Sequence, residues 1–142
     1  MRRIIPLLVA ASIAAGAIPA IAADPSHWSS ALIQAAIPEL GSTQDWTNGP
    51  AITGPHDPNL RPGTAIGYGW DSNGNWLGDD HGSHAAIVDK VDAAGIVWVI
   101  DQYDFRDKNE HGSFQVAMSR KLKPGEEKRY SIITRRPCVS PR

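Results

Sequence analysis

Cysteine is nearly absent from this chain. Cys138 is the only one in 142 residues, so no internal disulfide can staple the fold. It lies in "RRPCVSPR", between Pro137 and Pro141, where no helix can form to lower a thiol pKa. That excludes the usual route to a cysteine nucleophile and favours a free or intermolecular thiol. No cysteine follows the N-terminal apolar run to carry a lipid. Internal repeats are missing too, and no linker is long enough to divide domains. A basic-aromatic stripe is lacking, and the body of the chain is acidic, which excludes a nucleic-acid reader.

What is present begins with "MRRIIPLLVAASIAAGAIPAIAA". Arg2 and Arg3 form a basic end, an apolar run follows, and Ala20-Ile21-Ala22 supplies a small-x-small cleavage site. The run is barely long enough to span a bilayer and contains Gly16 and Pro19. Residues 1–23 therefore read as a cleaved signal peptide. The remaining 24–142 form one domain of about 120 residues, periplasmic or secreted, with no stable membrane span.

Charge is unevenly spread. Residues 24–118 carry 4 basic and 13 acidic side chains, and residues 119–142 carry 8 basic and 2 acidic. The 119–142 segment reads as a basic C-terminal tail lying over an acidic domain, with anionic wall polymers or lipid headgroups as the alternative partner.

One mature helix is evident in "SHWSSALIQAAIP", which Ser26 can cap and Pro38 ends. The stretch "GPAITGPHDPNLRPG" is rich enough in proline and glycine to read as loop. "TAIGYGWDSNGNWLGDD" reads as a hairpin turning at Asn73-Gly74. Asp71, Asn73 and Asn75 alternate as calcium ligands do, but position six of that pattern is Trp76 and position twelve is Gly82, so the EF-hand match fails. "DDHGSH" offers His81 and His84 beside two aspartates, too few converging ligands for a zinc site. Neither a metal nor a cofactor is expected.

The most informative stretch is "GSHAAIVDKVDAAGIVWVIDQY", residues 82–103. It reads as a hairpin with strands at 84–91 and 96–102 and a turn at 92–95. Pairing Val91 with Ile96 puts His84, Ala86, Val97, Val99 and Asp101 on one face. His84 and Asp101 are then diagonal neighbours within side-chain reach. An aspartate there would hold one ring nitrogen and leave the other to act as a base.

Together, "RPGTAIGYG", "GSHAAIV" and "IVWVIDQY" resemble the bacterial NlpC-like papain-fold superfamily, and most of all its small secreted BPSL branch. The resemblance runs from Trp28 to about Thr134. It implies an α+β, papain-like (NlpC/CHAP-type) fold, with an N-terminal helix packed on a small antiparallel β-sheet. It also implies peptidoglycan amidase or endopeptidase chemistry, with His84 as base and Asp101 as its orienter. In that branch a cysteine opens the helix. Here Ser29 stands at that position, in Ser29-Ser30-Ala31-Leu32-Ile33-Gln34.

A serine hydroxyl is far less acidic than a thiol and cannot stand as an alkoxide near neutral pH, so hydrolysis is expected to be weak or absent. Three functions stay open. They are a wall hydrolase acting on stem peptides, a non-catalytic module that binds peptide or a protein partner, and a small exported toxin or antagonist. Oligomeric state is not legible.

Overall fold

The computed structural model describes residues 29–106 and 113–137. The expected signal peptide, the Ser26 cap, Trp28 and Cys138 lie outside the described residues. One helix, α1 (Ser29–Ala36), precedes six strands: β1 (Trp46–Ala51), β2 (Ala65–Tyr68), β3 (His84–Val91), β4 (Val97–Arg106), β5 (Ser113–Lys121) and β6 (Ser131–Arg135). They form one antiparallel sheet in the order β1-β6-β2-β3-β4-β5. The fold is α+β. No described helix is long and apolar enough to cross a membrane.

The centre of the sheet is β3, and its sequence explains why. Ala85, Ala86, Ile87 and Val88 are all fully buried, so both faces of the strand must be covered. On one face Ala85 and Ile87 pack with Ile33 and Ile37 of the helical segment, and with Leu40, Trp46 and Ile133. On the other, Ala86, Val88, Val97 and Val99 pack with Ile52, Leu60, Leu122 and Tyr130. Burying each of these large aliphatic side chains is worth about 1.5–3 kcal/mol.

α1 stops where expected. The Ile37 N–H still reaches the Ile33 carbonyl at 2.7 Å, and Pro38 then opens a short 3₁₀ turn.

Three expectations change. The proline-rich stretch is not all loop: Gly49, Pro50 and Ala51 belong to β1. Proline is tolerated there because β1 is an edge strand with a register shift between Asn48 and Ala51. The rest of that stretch supplies Ile52 and Leu60 as the cover for the second sheet face. The hairpin at Asn73-Gly74 shrinks to a single bridge, Trp70 to Trp76.

Of the basic segment 119–142, the described residues 119–137 are woven into the sheet rather than laid over it. They supply the end of β5 and all of β6, which sits between β1 and β2. Alternation had little room to show in β6, because Ile132 and Ile133 serve opposite faces.

Gly69 marks where β2 ends and the tryptophan loop begins. Its φ is +89°, and an added Cβ would come within 2.5 Å of the Ser83 backbone. Gly82 has a similar φ of +87° but open space around it. Gly69→Ala should therefore cost about 2–4 kcal/mol, from strain and overlap together. Gly82→Ala should cost only about 1–2 kcal/mol. Urea unfolding of the two variants checks the difference, and equal losses would show that Ser83 yields freely.

Candidate active site

His84 opens β3 and Asp101 lies on β4. Near the site the strands pair Ile87 with Ile100 and Val88 with Val99, the register expected from the sequence. Near the turn the pairs are Lys90 with Trp98 and Val91 with Val97. One extra residue, Asp89, is taken up between the two registers as a bulge. The turn is longer than expected because the Asp92 carboxylate accepts the N–H groups of both Ala94 and Ile96, at 2.9 and 3.0 Å. Turn and bulge offset each other, so the functional end of the hairpin keeps its alignment.

The structure brings His84 and Asp101 together: Nε2 of the ring lies 2.8 Å from Oδ2 of the carboxylate. The Asp101 side chain is fully buried, and that of His84 is 14% exposed. The second partner of Asp101 was not legible in the sequence. Arg120 of β5 donates through Nε to both carboxylate oxygens, at 3.1 and 2.9 Å, and its Nη2 lies 2.8 Å from Oδ2. Arg120 pairs with Val99 in the ladder, which makes it the diagonal neighbour of Asp101 on the same face. The only sequence signal for it was a basic residue inside a basic run.

Two tyrosines complete the surroundings. The Tyr68 ring lies 5.9 Å from that of His84 and 5.0 Å from that of Tyr130. The Arg129 guanidinium sits 4.2 Å above Tyr68. Burial, followed by the neighbouring Tyr68 hydroxyl, raises the Tyr130 pKa well above its ordinary value, so it stays a neutral hydroxyl.

Ser29 is placed differently. Its hydroxyl donates to the Asp79 carboxylate and accepts the Ala85 N–H at 3.0 Å. The β3–β4 pairing runs no further than Ile87–Ile100 toward this end. Ser29 therefore satisfies a backbone donor that the β4 ladder has left behind. The neighbouring Ser30 hydroxyl donates to the other Asp79 oxygen, and its N–H reaches Asp79 at 3.2 Å. Asp79 is in effect a cap supplied from the loop before β3, where a carboxylate complements the helix N-terminus.

His84 and Asp101 are joined, while the hydrogen bonds described for the Ser29 hydroxyl run to Asp79 and Ala85. Asp79 was visible in the sequence only as part of the "DDHGSH" cluster. The structure uses it as a clasp, while Asp80 pairs with His81 at 2.7 Å on the exposed surface.

Among the described residues no group of three His, Cys, Asp or Glu side chains converges as metal ligands would. The Asp71 carboxylate is turned onto its own loop, accepting the N–H groups of Asn73 and Asn75 at 2.8 and 2.9 Å. The backbone bond from Asn75 leads the interactions that hold its pKa below the usual carboxylate range.

Removing Arg120 would leave the buried Asp101 carboxylate with His84 as its remaining described partner. Arg120→Met should therefore destabilise the chain by about 3–5 kcal/mol, and adding Asp101→Leu should restore much of the loss. Urea denaturation of the single and double variants at neutral pH measures both steps. A double variant as unstable as the sum of the singles would show that the two side chains act independently and that no stranded charge is relieved. No family model, no curated protein and no solved structure matches the chain.

Proposed function

We propose that the chain is an exported, papain-like domain of NlpC type that binds a peptidoglycan stem peptide or a protein partner and hydrolyses amide bonds weakly or not at all. The resemblance of "GSHAAIV" and "IVWVIDQY" carries the family reading. The joined His84–Asp101 pair on adjacent strands supports it as a polar pair, on the sheet face opposite the one that carries Ile33 of the helix.

The observation that carries the non-hydrolytic part is the commitment of Ser29. A serine nucleophile must pass its proton to a base during attack. Here the hydroxyl points its proton at Asp79, and the oxygen already accepts the Ala85 N–H. Any anion forming on the residue-29 side chain would face the Asp79 carboxylate at hydrogen-bond range. Like charges so placed disfavour the ionised nucleophile, whether alkoxide or thiolate. His84 and Asp101 then serve as a rigid polar element at the end of the sheet, beside which an extended peptide can lie.

The test separates the serine from its acidic neighbour. Introduced in a Cys138→Ser background, Ser29→Cys should alkylate with iodoacetamide no faster at mildly acidic pH than an ordinary thiol of pKa about 8.5. Adding Asp79→Asn should shift the alkylation profile to lower pH, because the repelling charge is gone while the helix N-terminus stays. Wild-type protein should be retained by purified peptidoglycan or stem peptide without releasing fragments. Wall clearing in a zymogram by the wild type, abolished by Ser29→Ala, would show instead that Ser29 is a working nucleophile.

A further inference from the structure

We propose that a second site, at the other end of the sheet from His84, binds an alkylammonium group with Glu127 as its counter-ion. The inference is independent of the reading of Ser29. A cleft of about 480 Å³ opens beside the turn of the β3–β4 hairpin. Ile96 and Val97 of that hairpin form part of its lining, with Leu122 and Pro124 of the link between β5 and β6, and Pro55 of the loop after β1. Glu127 lines it as well and is only 4% exposed.

The two neighbouring glutamates differ in a way that matters. Glu126 is engaged: its Oε2 accepts the Lys123 N–H at 2.8 Å, and Oε1 lies 4.0 Å from Arg120. No hydrogen bond or ion pair among the described residues engages the Glu127 carboxylate; its backbone carbonyl accepts the Tyr130 N–H at 3.1 Å. The Glu127 carboxylate is not among the fully buried side-chain atoms left without a partner, so it keeps some contact with water. A carboxylate so enclosed is nonetheless normally paired, because even partial desolvation of an unpaired charge is costly. The side in which Glu127 can find a partner is the cleft it lines.

The rest of the lining says what that partner is. Aliphatic and proline side chains suit a methylene stem, and a single carboxylate beside them suits one ammonium group. Lys123 and Lys128 also line the cleft and are exposed. They disfavour polycations and offer a counter-charge to a carboxylate at the far end of the ligand. The ligand class is therefore an aliphatic amine carrying an acid at its other end, as in a lysine-like side chain of a short peptide or a free ω-amino acid.

The probe is ε-aminocaproate, followed by amide NMR of the purified chain. It should shift the signals of Ile96, Val97, Leu122 and Lys128. Hexylamine should bind at the same place more weakly, and caproate, which lacks the ammonium, should leave those signals unmoved. Glu127→Gln keeps the shape and removes the charge. It should weaken ε-aminocaproate at least about tenfold, the scale of a lost charge-assisted hydrogen bond. Because the wild-type carboxylate is unpaired, the variant should unfold at the same temperature as wild type or higher. The proposal is overturned if none of the amides shifts, if caproate binds as well as ε-aminocaproate, or if Glu127→Gln binds undiminished. A variant that unfolds well below wild type would overturn it too, by showing that the carboxylate is paired inside the fold.

Discussion

A fully buried carboxylate in the middle of an antiparallel sheet is the constraint around which this structure is arranged. Asp101 has no access to water, and an isolated charge in that position would cost several kcal/mol after relaxation. The fold meets that cost by bringing two further strands to it, β3 with His84 and β5 with Arg120. The register of three strands is thereby tied to one side chain. Slipping β4 by one residue against either neighbour would turn Asp101 to the face that carries Ile33 and Trp46 and strand its charge there. The Asp89 bulge makes sense in the same terms. The long Asp92 turn offsets the strands by one residue, and the bulge removes that offset before the ladder reaches the site.

Ser29, Ser30 and Asp79 form a second polar unit, on a different structural task. They fasten the helix N-terminus to the loop before β3 and to the first backbone donor beyond the β3–β4 ladder. In the same loop the Ser83 hydroxyl donates to the Gly69 carbonyl at 2.6 Å and accepts the Gly78 N–H at 3.1 Å. His84 thus enters its strand from a segment pinned on both sides. These bonds fix where β3 begins.

How much of this was legible depended on whether the signal was local. The helix stop, the hairpin and the His84–Asp101 diagonal all follow from periodicity and turn chemistry within about twenty residues. β1, β5 and β6 did not show. β1 hides behind Gly49 and Pro50, and β6 shows an unbroken Ile132-Ile133 pair where alternation was wanted. Residues 119–121 of β5 were read through their charge, which said nothing of the strand partner. Arg120 and Asp79 were missed for one reason. Each acts on a residue 19 or 50 positions away, and no spacing rule reaches so far without a topology to bend the chain back.

The pairing of Ser29 with Asp79 bears on why a serine, rather than a cysteine, suits this helix start. A cysteine nucleophile depends on being ionised, and everything useful around it must favour negative charge. A carboxylate accepting bonds from residues 29 and 30 does the reverse. It asks for neutral donors, and two adjacent hydroxyls provide them. Serine at 29 and aspartate at 79 are therefore one feature: with Asp79 in place, a thiolate is disfavoured, and with Ser29 in place, Asp79 gains a donor and the helix gains a cap. The same acid that would oppose catalysis stabilises the fold. Under the proposed NlpC-like reading, the position that the resemblance assigns to a nucleophile serves here as a structural joint between the helix start and the loop before β3.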